Sequence, residues 1–298
     1  MFRTLKDLQA VINKKDKKRL VLAVSQDPQS LGAIYDAYKA GFIEPVLIGS
    51  LPETEHLIKE GGYDFTGVKM IHEASPEEAV KKAVTMVHDH KADILMKGKV
   101  ATPMLLKGVL NKEWGLRTGR LLSHIALFEV DTYHKLIAVT DVAMNISPNL
   151  SDKIQIVNNS VEYLNKMGIA KPKVAVLGAI EMVNENMQAT LDAALLSKMN
   201  QRDQIRNCII DGPLAFDNAV SFESAKHKGI KSEVAGDTDL LLMPDIEVGN
   251  VLYKSLVFFA KAKVASVILG ASAPIVLTSR SDSEEAKLNS ILLAAIGG

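Results

Sequence analysis

The sequence predicts an α/β fold with two lobes, each built on a mostly parallel β-sheet with flanking helices. Short apolar runs rich in β-branched residues alternate with longer segments of helical periodicity, which is typical of parallel strands joined by crossover helices. The chain has 298 residues, enough for about two cores at roughly 100–200 residues per domain. Hydrophobic residues make up 47% and charged residues 23%, so we expect compact folding.

The apolar runs predict strands that alternate with helices along most of the chain, as a mostly parallel α/β sheet requires. The predicted strands are residues 20–25, 45–49, 93–96, 173–178, 208–211, 239–243, 266–269 and 275–278. Residues 121–130 and 135–140 are also apolar, but the segment 131–134 between them is too short for a crossover helix. We therefore predict that these two strands pair antiparallel.

Helical periodicity and end signals predict the intervening helices. They are residues 30–40, 53–60, 76–88, 103–110, 151–167, 184–199, 219–226, 249–261 and 282–295. The start at Pro76 has the clearest signal, because Ser75 can cap the helix and two glutamates follow in the first turn. Residues 141–152 are rich in turn formers and open a long helix, so we predict the lobe boundary there.

Charge and cysteine content exclude several classes of protein. Lysine plus arginine and aspartate plus glutamate both total 35, so no net field attracts nucleic acid or an anionic membrane. Any anion must be bound by a local cluster. The single cysteine, Cys208, allows neither an intramolecular disulfide nor a thiolate metal site, which fits a reducing compartment. We read no signal peptide and no membrane span, and expect a cytoplasmic protein.

Ligands of open α/β sheets bind beyond the carboxyl ends of the strands, so polar residues just after predicted strands are the candidates. The first cluster is Lys97-Gly98-Lys99, followed by Thr102 at a helix start, which offers backbone N–H groups and positive charge to a phosphate. The alternative is a solvated turn. The spacing of a P-loop is absent.

The second cluster is basic and interleaved with one tryptophan, Trp114. Its members are Lys107, Lys112, Arg117 and Arg120. They could hold a phosphorylated nucleotide with its base stacked on the indole, but an ordinary hydrated loop is the favoured interpretation because exposed Lys and Arg are common.

The third cluster runs from Pro244 to Lys254 after an apolar strand and includes Asp245. In a helix starting at Gly249, three polar residues lie at i, i+3 and i+4 on one face: Asn250, Tyr253 and Lys254. This face is either part of a binding site or simply solvated.

The fourth cluster lies where the last predicted strand runs into the last helix. Ser279 and Arg280 bring a hydroxyl, a guanidinium and free helix N–H groups to one place, a combination suited to a tetrahedral anion. Ser281 or Ser283 can also be an ordinary helix cap. The seven histidines lack metal-binding spacing and G-x-S-x-G is absent, so we predict neither a metal site nor a hydrolase nucleophile elbow.

Taken in order, these motifs resemble the phosphate acetyltransferase and phosphate butyryltransferase family. They are Asp141-x-Ala143-x-Asn145-x-x-Pro148, Asp211-Gly212-x-Leu214-x-Phe216-Asp217-x-Ala219, Pro244-Asp245, Gly249-Asn250-x-x-Tyr253-Lys254, Pro274 and Ser279-Arg280. The resemblance runs from about Leu95 to the C-terminus. The short chain and the Thr-Ser-Arg-Ser-Asp stretch look more like the butyryltransferase branch.

The resemblance implies a fold similar to isocitrate and isopropylmalate dehydrogenases, with the active site in the cleft between the lobes. The first lobe is then residues 1–140 plus 266–298 and the second is 141–265. It also implies the reaction of an acyl-CoA with phosphate to give acyl phosphate and CoA, with no metal and no redox cofactor, in a homo-oligomer without nucleic-acid or membrane partners. Such a site binds two anions and stabilises an oxyanion.

Residues carried over by position give the expected roles. Ser279 would bond the transferring carbonyl or phosphate, and Arg280 would clamp the phosphate. Thr102 matches a family threonine, and Lys107 stands where acetyltransferases usually have an arginine. The acetyltransferase aspartate proposed as the base for the CoA thiol falls at Ala286, so a nearby carboxylate must replace it. The candidates are Asp282, which we favour because it is close to Ser279 and Arg280, Glu284 and Glu285.

Phe258 stands where many acetyltransferases have a basic residue, and an aromatic ring there could line a pocket for a longer alkyl chain. The expected function is therefore phosphate butyryltransferase, or a similar enzyme for short or branched acyl groups. The same chemistry on acetyl-CoA is the nearest alternative. More distant alternatives are a metal- and NAD-dependent decarboxylating dehydrogenase of the same fold, which would need an aspartate cluster that we do not find, and a non-enzymatic binding module.

Overall fold

The computed structural model describes residues 2–12, 17–279 and 282–297. Strands and helices alternate through most of this range. The strands are β1 (Lys18–Ala23), β2 (Ile43–Gly49), β3 (Lys69–His72), β4 (Ile94–Lys97), β5 (Ser123–Glu129), β6 (Ile137–Thr140), β7 (Lys173–Leu177), β8 (Ile209–Leu214), β9 (Leu240–Leu242), β10 (Lys263–Leu269) and β11 (Ile275–Val276).

A short 3₁₀ helix at Leu5–Ala10 precedes the first strand. The α-helices are α1 (Pro28–Lys39), α2 (Leu51–Glu60), α3 (Pro76–His88), α4 (Thr102–Val109), α5 (Leu150–Lys166), α6 (Gln188–Gln201), α7 (Phe216–Val220), α8 (Phe222–His227), α9 (Ile246–Phe258) and α10 (Glu284–Gly297). No helix of the described ranges is both long and apolar enough to cross a membrane.

The predicted antiparallel pair is confirmed, since β5 and β6 pair with Ala126 opposite Val139. The structure adds β3, which the sequence missed because this strand of four residues is only half-buried or exposed and forms no apolar run. The predicted helix 219–226 is two short helices, α7 and α8. Ser221 separates them because its extended backbone ends α7, and its hydroxyl accepts from Ser224 N to cap α8.

The chain divides into two compact units. The middle unit comprises Leu121–Val264 together with the residues up to Leu5. The split unit comprises Lys6–Arg120 and the C-terminal segment from Ala265 onwards. The predicted boundary at residue 140 differs from this division, because the hairpin of β5 and β6 joins the middle unit through the parallel pairing of β6 with β9.

In the split unit the strand order is β3-β2-β1-β4-β11-β10. The pairs β2–β3, β1–β2, β1–β4 and β4–β11 are parallel, and β10–β11 is antiparallel. Helix α10 packs against α1. The Glu284 carboxylate lies close to Gly32 of α1 in this packing. Partial desolvation of the Glu284 carboxyl, with the nearby charge of Asp36, raises its pKa.

In the middle unit the strand order is β5-β6-β9-β7-β8, parallel except for β5–β6. Helix α5 begins with a capping box in which Asn149 accepts from Asp152 N and Asp152 accepts from Asn149 N. The observed layers are mixed α/β with mostly parallel strands and flanking helices, so the predicted fold class is confirmed.

Candidate active site

The carboxyl ends of β1, β4 and β11 meet at one edge of the split unit, because these strands run parallel to one another. The segments that follow them are residues 24–27, 98–101 and, among the described residues, 277–279 and 282–283. We call this edge, together with the starts of α1, α4 and α10, the split-unit edge. The first and fourth sequence clusters therefore lie at the same edge.

The loops after β1 and β4 are joined by backbone hydrogen bonds. Gly98 N donates to Ala23 O at 2.9 Å, and Lys99 N donates to Val24 O at 2.8 Å. A Cβ at Gly98 would lie 2.1 Å from Val24 O, so only glycine allows this approach. Val24 itself has a φ of 62°, a conformation that β-branched residues avoid, which places backbone strain at this edge.

The three polar residues of the first cluster differ in exposure. Lys97 is buried, and its ammonium donates to Gly98 O and Val100 O, both at 3.3 Å. Lys99 is exposed, and Thr102 is half-buried as the first residue of α4. Lys97 therefore stabilises the loop, while Lys99 and the N-terminus of α4 remain suited to an anion.

Ser279 lies exposed in the loop after β11. Its N–H donates to Asp282 Oδ2 at 2.7 Å, and Asp282 N donates to Ser279 O at 3.2 Å. The structure therefore brings the favoured carboxylate next to Ser279. Glu285 is exposed in the first turn of α10. Arg280 lies outside the described residues.

Lys287 is a residue of this edge that the sequence reasoning missed. Its side chain is 2% exposed, and Nζ lies 3.2 Å from Thr278 Oγ1, 3.3 Å from Ser279 O and 3.8 Å from Asp27 Oδ2. The available signal was helical spacing, which puts this lysine on the same face of α10 as the apolar Ile291 and Ala294.

Gln26 is a second polar residue that the sequence reasoning passed over. Its side-chain Oε1 is buried, and within the described ranges it has no hydrogen-bond partner. It lies against Gly49, where a Cβ would be 2.3 Å from the Gln26 oxygen. The loop after β1 therefore contributes an unsatisfied buried acceptor to the split-unit edge.

The basic second cluster is spread along one surface segment. Lys107 is exposed in the last turn of α4, and Arg120 is exposed further along. The segment between them is anchored, because Thr118 Oγ1 donates to Gly270 O at 2.6 Å and Ser272 N donates to Leu116 O at 2.9 Å. Both basic side chains are thus accessible on an ordered support.

The motif Asp141-x-Ala143-x-Asn145 organises a turn at the carboxyl end of β6 in the middle unit. Asp141 is buried, and its carboxylate accepts from the backbone N–H groups of Ala143 at 2.9 Å and Met144 at 3.0 Å. Its other oxygen accepts from Asn145 Nδ2 at 2.5 Å. These contacts explain the motif by local folding.

The third cluster has a similar local explanation. Helix α9 begins at Ile246 rather than at the predicted Gly249, because Asp245 Oδ1 accepts from Val248 N at 2.9 Å and caps the helix. Gly249 lets α9 approach the Asp141 turn, since a Cβ would lie 2.4 Å from Asp141 O. Asn250 is exposed, and its Nδ2 donates to Val142 O at 3.3 Å.

In α9, Asn250, Tyr253 and Lys254 do not form the shared polar face that their spacing predicts. Tyr253 is buried, and its ring packs edge-on against Phe128 and His124 at centroid distances of 5.3 Å and 6.2 Å. Lys254 Nζ lies 5.6 Å from the Tyr253 ring centre and 6.0 Å from that of Phe258. Phe258 is 56% exposed, so its ring is accessible to a ligand.

A cysteine nucleophile and a metal site are the two other types of site to consider in the described residues. Burial raises the pKa of the Cys208 thiol to about 11, so this thiol is protonated at neutral pH and is a poor nucleophile. Among residues 2–12, 17–279 and 282–297, no group of three or more His, Cys, Asp or Glu is placed to hold a metal ion. The split-unit edge therefore remains the best candidate, with a hydroxyl, a carboxylate, a lysine and a helix N-terminus.

Known proteins similar to this chain show its family. The family model described as phosphate acetyl/butaryl transferase matches residues 72–295. The chain belongs to this family. A phosphate butyryltransferase of Clostridium acetobutylicum is 46% identical over 99% of this chain and 98% of its own length. A phosphate acetyltransferase of Thermotoga maritima is 47% identical over 94% and 95%.

A solved structure extends the family relationship to three dimensions. The branched-chain phosphotransacylase from Enterococcus faecalis V583 is 33% identical and superposes with a TM-score of 0.83, covering 94% of this chain and 98% of that one. As a member of the phosphate acetyl/butaryl transferase family, the chain is an acyltransferase. The predicted family and enzyme class are confirmed.

Proposed function

We propose that this enzyme converts butyryl-CoA, or a similar short or branched acyl-CoA, and phosphate to acyl phosphate and CoA. The single observation that carries the proposal is the split-unit edge, where Ser279 and Asp282 lie at the same end of the sheet as Lys99 and the start of α4. The relatives that are named for butyryl and branched-chain substrates favour this acyl class.

The proposed reaction is acyl transfer from sulfur to oxygen. A phosphate oxygen attacks the thioester carbonyl, the C–O bond forms, and the C–S bond breaks as the electron pair leaves with sulfur. The Ser279 hydroxyl donates to the carbonyl oxygen or to phosphate as negative charge develops. Lys99, Thr102 and Arg280 are proposed to bind the phosphate.

The general base is proposed to be a carboxylate at the start of α10. In the reverse direction the CoA thiol must lose its proton, and Asp282 is the favoured acceptor because Ser279 N–H already holds its carboxylate beside the hydroxyl-bearing residue. Glu285 is the second candidate, exposed in the first turn of α10. The proposed reaction invokes no metal ion and no redox cofactor.

Further binding residues are proposed on the basis of their accessibility and chemistry. Lys107 and Arg120 are proposed to bind the phosphates of CoA. On α9, Asn250, Lys254 and Phe258 are proposed to contact substrate, whereas Asp245 and Tyr253 contribute by capping the helix and packing beneath it.

Acetyl-CoA is the alternative acyl donor, and the Thermotoga maritima relative favours it. Phosphate-dependent release of the CoA thiol, measured with acetyl-, butyryl- and isobutyryl-CoA, separates the two. We expect the highest kcat/KM with a four-carbon acyl group. A higher value with acetyl-CoA would assign the enzyme to the acetyl branch, and no release with any donor would refute the proposed function.

We also propose that the chain forms a homo-oligomer. Large apolar side chains besides Phe258 are exposed along α9 and just after it, at Val248, Val251 and Phe259, and a second copy of the chain would cover them. Light scattering of the purified protein tests this. A mass near 32.4 kDa would indicate a monomer and contradict the proposal.

A further inference from the structure

Helix α10 carries a lysine on its buried face. Lys287 is 2% exposed and lies on the same face of α10 as the buried Ile291 and Ala294. Removing an ammonium from water is strongly unfavourable unless charges and hydrogen-bond acceptors replace the water. The side chain therefore needs partners in the protein, and those partners indicate its role.

The partners of Lys287 belong to two loops of the split-unit edge. Its Nζ donates to Thr278 Oγ1 at 3.2 Å and to Ser279 O at 3.3 Å, both in the loop after β11. The counter-charge comes from Asp27, whose Oδ2 lies 3.8 Å away in the loop after β1. Lys287 thus links the loop after β11, which carries Ser279, to the loop after β1, which carries Asp27.

Asp27 is itself held in place. Its Oδ2 accepts from Ser30 Oγ at 2.5 Å, its N–H donates to Ser25 O at 2.8 Å, and Leu31 N donates to its carbonyl as α1 begins. The Asp27 carboxylate is therefore fixed at the start of α1. The Lys287 ammonium is held between this carboxylate and the oxygens of Thr278 and Ser279.

The result is that both backbone polar groups of Ser279 are fixed. Asp282 accepts from its N–H, and its carbonyl accepts from Lys287 Nζ and from Asp282 N. With the backbone held, the Ser279 hydroxyl is restricted to the directions that its side-chain rotamers allow. A hydroxyl that must donate to one developing oxyanion benefits from this restriction.

We propose that Lys287 is a positioning residue for the phosphate acyltransferase reaction, which orients Ser279 through its carbonyl and uses Asp27 as its counter-ion. The inference rests on the proposed function. It assigns to α10 a buried cation that holds the loop carrying Ser279. The same helix also presents carboxylates at its exposed start.

The test compares Lys287→Met with an equally buried lysine elsewhere. Lys135 is also 2% exposed, but its ammonium pairs with Asp237 at 2.8 Å and Asp239 at 2.6 Å beside the amino end of β6. Lys135→Met is therefore a control for the loss of a buried ammonium. Each variant is assayed for phosphate-dependent CoA release at least 10 °C below its own Tm.

We expect Lys287→Met to lower kcat by about 10²-fold, the size associated with misplacing a reacting group by about 1 Å. The KM for the acyl-CoA should change less than threefold. Lys287→Arg should recover at least a third of the activity, because a guanidinium can reach the same oxygens. Lys135→Met should leave kcat within threefold of the wild type, whatever its Tm.

Two results would overturn the proposal: a kcat of Lys287→Met within threefold of the wild type, or an equal loss of kcat in Lys135→Met. Should Lys287→Met fail to fold, Asp27→Asn decides, since it keeps the lysine and is expected to lower kcat about tenfold. Unchanged kcat in Asp27→Asn then overturns the proposal. An inactive wild type would refute the proposed function itself, so the two failures are distinguishable.

Discussion

Lys287 and Lys135 are two lysines with the same burial and different surroundings. Lys287 lies at the carboxyl edge of the split unit and donates to a hydroxyl and a main-chain carbonyl of the Ser279 loop. Lys135 lies near the amino end of β6 and is bound by the carboxylates of Asp237 and Asp239 and by the Asp237 carbonyl. Burial alone therefore does not show what a charged group does. The segment to which its partners belong does, since Lys287 contacts the loop that carries Ser279, whereas the partners of Lys135 lie at residues 237–239 of the middle unit.

The largest expected effect is at the loop that Lys287 holds. Ser279→Ala should lower kcat/KM for phosphate-dependent CoA release by about 10²–10³-fold, the usual cost of losing one donor to a developing oxyanion. Because Ser279 is exposed, Tm should stay within a few degrees of the wild-type value.

Ser283→Ala is the matched control for this change. Ser283 Oγ accepts from Ala286 N at 3.2 Å, so its loss should cost about 1 kcal/mol of stability. The kcat/KM of Ser283→Ala should remain within about threefold of the wild type. Equal losses of activity in both serine variants would contradict the role of Ser279.

The second prediction concerns the stability that Lys135 supplies. Lys135→Met leaves Asp237 and Asp239 without their shared cation, so the free energy of unfolding should fall by about 3–5 kcal/mol. Urea unfolding at pH 7 measures this. A loss under 1 kcal/mol would show that the ion cluster adds little and would remove the contrast between the two lysines.

The third prediction tests acyl selectivity. One buried CH₂ is worth about 0.8 kcal/mol, so Phe258→Arg should lower the butyryl-to-acetyl ratio of kcat/KM about fourfold, given that the ring is half-exposed. Phe259→Arg is the control, because the Phe259 ring is 89% exposed. If Phe258→Arg leaves the ratio unchanged, the pocket assigned to this ring does not exist.

The smallest expected effect is a pH dependence within the Lys135 cluster. Burial alone would raise the pKa of Asp237, but hydrogen bonds from Lys135, Lys173 and His134 outweigh it and hold that pKa well below its ordinary value. A lowered pKa in the folded state stabilises the protein above the unfolded pKa of about 3.9, and this stability is lost as the pH falls further.

Because the Asp237 side chain is 37% exposed and its charge is partly screened by solvent, Asp237→Asn should lower Tm by only about 1 °C at pH 7, and the difference from the wild type should shrink as the pH falls below about 4. Thermal scans from pH 7 to pH 3 measure this. A difference in Tm that stays constant across the range would show that the charge of Asp237 does not contribute.

Much of the fold follows from the sequence because burial leaves a periodic signal. Strands with apolar runs and helices with caps, such as α3 behind Ser75, were predictable. The half-exposed β3 has no such signal. The boundary predicted after residue 140 rests on turn formers, whereas the division into compact units falls at Leu121, because β6 pairs with β9 about a hundred positions further along the chain.

The candidate site was predictable where chemistry and position coincide, as at Ser279, and less so where a polar group has a local role. Asp245 and Lys97 were predicted as binding residues, but Asp245 caps α9 and Lys97 holds its own loop. Lys287 was missed because the sequence shows a lysine in a helix, and only the fold shows the oxygens that surround it.

The most direct test of the whole account is a crystal structure with phosphate and CoA bound. The account predicts phosphate within hydrogen-bond distance of Ser279 Oγ, Lys287 Nζ still on the Ser279 carbonyl, and the CoA sulfur within hydrogen-bond reach of a carboxylate of Asp282 or Glu285. Phosphate bound away from Ser279, or a sulfur that neither carboxylate can reach, would contradict it.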